Sequence, residues 1–203
     1  EKGVAEISSV LQPDSIVINK STVPLGTAKK IQIELKRDDV YVVSNPEFLS
    51  EGSAIKDFLE PSRIVIGSNT KQHSERVAKL YSEIDAPILM SSWESAELIK
   101  HTANAFLAIK LTFVNEIATL CEMTGAHIED VIKGIGYDPR IVSDYMKTGP
   151  GWGGSCFPKD ISALRSMFKR SRTKSMLLDA VKTVNDNQKV YLIKKISKHF
   201  KNN

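Results

Sequence analysis

The sequence predicts an α/β fold whose sheet gives way, about halfway along, to an all-helical region. Two observations predict this. Up to residue 92, short β-branched or apolar runs alternate with amphipathic stretches, the pattern of a sheet with largely parallel strands. From about Glu94 the character changes, and apolar residues recur at helical spacing over much longer stretches.

The strands are expected at Ile16-Val17-Ile18-Asn19, Val40-Tyr41-Val42-Val43, Arg63-Ile64-Val65-Ile66 and Pro87-Ile88-Leu89-Met90, each bounded by Pro, Asp, Ser or Gly. Amphipathic helices are expected between them, over Thr27 to Lys36 and Gln72 to Ile84. Ser95 to Met123 carries apolar residues on most faces, among them Ala96, Ile99, Phe106, Leu107, Val114, Ile117 and Leu120. A long helix of that kind is buried between domains or between subunits, and Gly125 reads as its stop. Shorter helices are expected over Ile128 to Lys133 and Arg140 to Met146. Gly149-Pro150-Gly151-Trp152-Gly153-Gly154 cannot be regular structure and must be a loop. Helix resumes at Pro158, and Lys174 to Phe200 has the spacing of a long amphipathic helix. The division expected is a sheet-based domain over 1–92 and a helical one over 93–203.

Composition narrows the class. The 203 residues suffice for one large domain or two small ones, and their apolar content and charge are those of an ordinary soluble protein. No apolar run approaches membrane-spanning length and no secretory signal is visible. The opening residue is Glu1 rather than Met, which reads as a cut or processed piece. Two cysteines, Cys121 and Cys156, make no disulfide framework and fit a reducing cytoplasm. The formal charge of +4 suits an anionic ligand such as a nucleotide diphosphate, and a solvated Lys-rich surface explains it equally well. No basic stripe with interleaved aromatics supports nucleic-acid binding. The four histidines show no ligand spacing, so no metal site is expected.

Four stretches carry candidate chemistry. In Gly153-Gly154-Ser155-Cys156-Phe157-Pro158-Lys159-Asp160, two glycines let the backbone approach a ligand. Pro158 suits the first position of a helix. Cys156 then lies just before a helix N-terminus, where dipole and Lys159 favour the thiolate, with Asp160 as a proton relay. A glycine-rich turn around a small buried cysteine accounts for the same pattern. Asn45-Pro46-Glu47-Phe48-Leu49-Ser50-Glu51-Gly52 follows a strand, where α/β proteins bind ligands. Glu47 and Glu51 share a face if the segment is helical, although acids in a first helical turn are also ordinary. Lys100 and Asn104 stand four apart on the long apolar helix, as an oxyanion-stabilising pair or as part of a solvent-facing stripe. Ser21-Thr22-Val23-Pro24-Leu25-Gly26-Thr27 follows the first strand, where it could meet a cofactor or simply start a helix. Gly149 to Gly154 formally matches G-x-G-x-x-G, but it lacks a preceding strand and an immediate helix and is rejected as a dinucleotide fingerprint. Cys121, on the apolar helix, reads as inert packing.

Taken in order, STVPLGT, NPEFLSEGSAIKDFLEPSRIVIG, AELIKHTANAFLAIKLTFVNEIATLCE and GWGGSCFPKD resemble the UDP-glucose/GDP-mannose dehydrogenase family over nearly the whole chain. The resemblance implies the second half of a Rossmann-like NAD-binding domain, then an all-α central dimerisation domain with long helices. It departs from the family at both ends: the first strand with its glycine-rich NAD turn and the C-terminal sugar-nucleotide domain have no counterpart here. The stretch alone is therefore expected to bind NAD weakly and to be inactive.

By the same resemblance, Cys156 captures the C6 aldehyde of a UDP-sugar in a four-electron oxidation, with UDP-glucose as substrate. Glu47 activates the hydrolytic water, Lys100 and Asn104 stabilise developing oxygen charge, and Asp160 assists the first proton removal. Ser21, Thr22, Val23 and Glu51 contact NAD. Phe48, Leu49, Arg140 and the loop from Lys147 through Gly151, Trp152 and Gly153 contact the sugar nucleotide, as do Glu47, Lys100 and Asn104. A homodimer through residues 95–123 is implied as well. Other readings are a GDP-mannose or UDP-N-acetylhexosamine dehydrogenase, a two-electron hydroxy-acid dehydrogenase (which would need no Cys156), and a non-catalytic dimerisation module.

Overall fold

The computed structural model describes residues 2–201, and the chain divides into two compact units, Glu1–His101 and Thr102–Asn203. In the first unit the order is α1 (Lys2–Ser8), β1 (Ser15–Asn19), α2 (Thr27–Leu35), β2 (Val40–Ser44), α3 (Ala54–Leu59), β3 (Ile64–Gly67), α4 (Lys71–Ala78) and β4 (Ile88–Ser91). The strands form one sheet in the order β1-β2-β3-β4. Both outer pairs are parallel, with Ser15 opposite Val40 and Ile64 opposite Ile88, while β2 meets β3 antiparallel at Ser44 and Gly67. All four expected strands form; the antiparallel junction was not legible in their composition.

The pleat distributes the β-branched residues to both faces. Val40, Val42 and Trp93 pack with Ala28 and Leu35 of α2 on one side, and Val43, Ile64 and Ile66 pack with Val77 of α4 on the other. Burial on both faces is why the two inner strands, β2 and β3, read as continuous apolar runs rather than alternating ones. Gly67 is required by a close crossing: a Cβ there would lie 2.5 Å from the Ala96 side chain and 2.6 Å from the Ser92 carbonyl.

α5 (Trp93–Thr124) is one continuous helix, ended by Gly125 at φ 77°. Its first residue, Trp93, follows the end of β4 after a single intervening residue. The compact units divide later, within the helix, because its first turns belong to the sheet: the Trp93 indole N–H donates to the Val42 carbonyl at 2.9 Å. The second unit continues with α6 (Ile128–Gly136), α7 (Cys156–Arg170) and α8 (Met176–Lys201). Its core joins Ala105 and Ala108 of α5 to Trp152, to Ile161 and Leu164 of α7, and to Leu178 and Val181 of α8.

Three expectations need correction. Arg140 to Met146 is not a helix: Val142 and Tyr145 adopt φ of 54° and 61°, which break any right-handed turn. The helix expected over Gln72 to Ile84 stops at Ala78, followed by one tighter turn over Lys79–Tyr81. Pro158 is not the first residue of its helix. Cys156 holds that position, with Ser155 as the cap.

Candidate active site

In the first unit, the segment after β2 is anchored by Asn45, which is 1% exposed. Its amide donates to the Val65 carbonyl at 2.8 Å, and its oxygen accepts from Lys20 at 3.0 Å and from the Tyr81 hydroxyl. Residues 45–50 are not helical, so Glu47 and Glu51 do not share a helix face. Glu47 turns back to accept the Leu49 N–H at 2.6 Å, and its other oxygen lies 3.7 Å from the Lys100 ammonium. Lys100 is buried, 6% exposed, which excludes a solvent-facing stripe at that position. Phe48 receives two cations on its ring, Arg63 at 3.9 Å and Lys100 at 5.2 Å from the centroid. Burial pulls the Arg63 guanidinium below its usual pKa. Glu47, Phe48, Leu49 and Arg63 line a cavity of about 230 Å³. Glu51 is exposed in the turn that follows.

The segment after β1 carries Ser21, exposed, and Thr22 and Val23, half-buried. It is held from α5. Glu97 accepts the Gly26 N–H at 2.6 Å and the Ala28 N–H at 2.7 Å, and His101 donates through Nε2 to the Val23 carbonyl at 2.8 Å. Burial raises the Glu97 pKa, opposed by those two N–H donors. Glu97 thus fills the N-terminal donors of α2, so this helix end is not a free cradle for a phosphate. The Ser21 and Thr22 hydroxyls and the segment's own backbone remain available beside that filled helix end.

In the second unit, Cys156 is exposed at the head of α7, its sulfur 3.6 Å from the Ser155 hydroxyl. One turn further on, Asp160 is 1% exposed and accepts from the Asn104 amide at 2.5 Å, with the Lys159 ammonium at 3.9 Å. The glycine loop is held from below. Asn185 takes the Trp152 N–H at 2.7 Å and donates to the Trp152 carbonyl at 3.1 Å. The Trp152 indole N–H donates to Thr112 at 2.8 Å. Gly151 has φ 94°, and a Cβ there would lie 2.6 Å from the Asn185 oxygen. Lys147 and Gly153 are exposed. Arg140 does not converge on this loop: it forms a two-point ion pair with Asp138, at 2.6 and 3.0 Å, and holds that carboxyl below its usual range.

Sequence reasoning thus named Glu47, Lys100, Asn104, Cys156 and Asp160, and missed Glu97, His101, Arg63 and Asn185. Glu97 and Asn185 had one visible signal, a polar residue within a helical apolar pattern.

Comparison with known proteins decides the family. Residues 1–85 match the NAD binding domain of the UDP-glucose/GDP-mannose dehydrogenase family, and residues 94–187 match its central domain. The chain belongs to that family. It is 44% identical over 200 residues to a UDP-glucose 6-dehydrogenase of Rhizobium meliloti, covering 94% of this chain and 46% of that protein. It is also 44% identical over 186 residues to UDP-glucose 6-dehydrogenase TuaD of Bacillus subtilis, covering 89% and 40%. Among solved structures, a UDP-glucose dehydrogenase from the hyperthermophilic archaeon Pyrobaculum islandicum superposes with TM-score 0.87 at 35% identity, covering 98% of this chain and 46% of that one. The chain therefore spans about half the length of the relatives it matches. The match of residues 1–85 to that family's NAD binding domain indicates NAD as the cofactor.

Proposed function

We propose that the full-length protein carrying this chain oxidises UDP-glucose to UDP-glucuronate, using two NAD and one water per sugar. The observation that carries the reading is on α7. An exposed thiol, Cys156, stands one helical turn from Asp160, a buried carboxylate fixed by the Asn104 amide. A nucleophile, a proton acceptor and an oxygen-binding amide are what covalent capture of an aldehyde needs.

Asp160 takes the first proton as the C6 alcohol becomes an aldehyde. The Cys156 thiolate then adds to that aldehyde, forming a carbon–sulfur bond, and Lys100 and Asn104 stabilise the oxygen charge. Loss of the second hydride leaves a thioester. Water, deprotonated by Glu47, attacks its carbonyl, and the carbon–sulfur bond breaks to release carboxylate and restore Cys156. Ser21, Thr22, Val23 and Glu51 would hold part of NAD, which when bound would supply the acceptor for both hydrides. Phe48, Leu49, Arg140, Lys147, Gly151, Trp152 and Gly153 bind the sugar nucleotide. For Arg140 this requires exchanging Asp138 for the ligand.

The protein acts as a homodimer in a reducing compartment such as the cytoplasm, with both cysteines free. The dimer is supported by α5, where Phe106, Phe113 and Leu120 are exposed at heptad spacing. Light scattering on the full-length protein reads this directly, and a monomer refutes it.

The deciding experiment counts NADH per UDP-glucose consumed, with two expected. One NADH with an aldehyde or ketone product would sink the mechanism. Turnover of GDP-mannose in place of UDP-glucose would change the substrate and leave the mechanism standing. The 203-residue chain alone is expected to give no UDP-glucose-dependent NADH.

A further inference from the structure

Helix α2 has an unusual cap. The side chain that satisfies the first N–H groups of a helix normally belongs to the N-cap residue. Here that residue is Gly26, at φ 86°, with no side chain to give. Glu97 supplies the cap instead, one oxygen to Gly26 and the other to Ala28, from 71 and 69 residues away. Glu97 is 2% exposed. An exposed carboxylate would cap the same helix without a desolvation penalty, and burial does raise this one's pKa. Capping alone does not account for a buried charge.

One turn along α5, His101, also 2% exposed, holds the Val23 carbonyl. The two residues therefore pin both ends of Val23 to Ala28, the turn that directly continues Ser21 and Thr22. Lys100, which pairs with Glu47, lies on the same two turns of α5. The segment on the cofactor side and the ion pair on the reacting side are thus fixed to one rigid piece of helix.

We propose that Glu97 and His101 are positioning residues for NAD: they touch neither cofactor nor sugar, and they set cofactor affinity by fixing the Ser21–Val23 backbone. The inference rests on the dehydrogenase reading given above. A cap that served only stability would, when lost, lower the melting temperature and weaken both ligands alike.

The test uses the full-length protein carrying this chain, with Glu97→Gln, His101→Leu and His101→Gln. In Glu97→Gln the amide nitrogen points a donor at one of the two N–H groups, so one end of the turn is released. Expected is about a tenfold rise in KM for NAD, with KM for UDP-glucose held within about twofold. His101→Leu should raise KM for NAD about threefold, and His101→Gln, which keeps a donor, should return it toward the wild-type value. An unchanged KM for NAD, or an equal rise for both substrates, overturns the inference. Should Glu97→Gln fail to fold, the two His101 variants carry the same comparison. A wild type with no NAD-dependent oxidation sinks the dehydrogenase reading itself, which separates that failure from failure of this inference alone.

Discussion

The turn after β2 and the glycine loop before α7 are built alike at one end and differently at the other. Each hangs from a buried asparagine, Asn45 at 1% and Asn185 at 2% exposure, whose amide satisfies loop or sheet backbone inside the core. Beyond Asn45 the fixing continues: Glu47 is bonded to its own turn and paired with Lys100. Beyond Trp152, by contrast, Gly153, Gly154, Ser155 and Cys156 are all exposed. A carboxylate that acts through its charge gains from a fixed position. A thiol that must bond to a substrate and release it needs open space on its reacting side.

The comparison breaks most readily at the cysteines. Cys156 is expected to react with iodoacetamide at least about a hundredfold faster than Cys121, because Cys121 is 5% exposed and the reagent cannot reach it. Mass spectrometry of the folded, partly labelled chain reads the site, and preferential labelling of Cys121 would reverse the assignment of open and closed ends.

The two anchors give the next effect. Asn185→Ala leaves the Trp152 N–H and carbonyl without their buried partner and should cost about 2–4 kcal/mol in denaturant unfolding. Asn45→Ala should cost about 2–3 kcal/mol by removing the buried donor to the Val65 carbonyl and the acceptor shared by Lys20 and the Tyr81 hydroxyl. A cost below about 0.5 kcal/mol at either position would show that its loop is held by something else.

The smallest effect sharpens the picture of α8, which carries Asn185. Glu122 near the end of α5 takes Lys195 at 2.6 Å and the Tyr191 hydroxyl. Lys195 and then Tyr191 lower the Glu122 pKa, and Glu122 raises that of Lys195. The stabilisation is therefore fully present above the ordinary glutamate pKa and is lost as pH falls through the depressed one. It is also lost at the alkaline end, as pH rises through the raised lysine value. Both groups are exposed, so Lys195→Ala should lower the melting point slightly at neutral pH and not at all in about 1 M salt. A salt-independent loss would mean that Lys195 acts through its packed stem instead.

The inner strands were legible because their burial leaves a direct trace in the sequence: Val42 and Val43 must both be apolar if both sheet faces are covered. Strand direction leaves no such trace, and the antiparallel meeting of Ser44 with Gly67 depends on how residues 45–63 return to the sheet. The missing helix at Arg140 to Met146 shows the limit of a sequence-only reading, since Val142 and Tyr145 adopt left-handed φ within it. At the site, Cys156 and Glu47 stood out through their neighbours in sequence. Glu97 and Asn185 act on backbone far away in sequence, so no local pattern marks their role.

The burial of the two indoles has an optical consequence. The chain holds two tryptophans, and they fall one to each unit, Trp93 in the first and Trp152 in the second. Both are nearly covered, and both spend their indole N–H on an internal acceptor, the Val42 carbonyl or the Thr112 hydroxyl. Each should emit at short wavelength while its own unit is folded and shift to the red when that unit opens to water. Trp93→Phe and Trp152→Phe would therefore turn intrinsic fluorescence into two separate thermometers, one for the sheet and one for the helices that carry the cysteine loop.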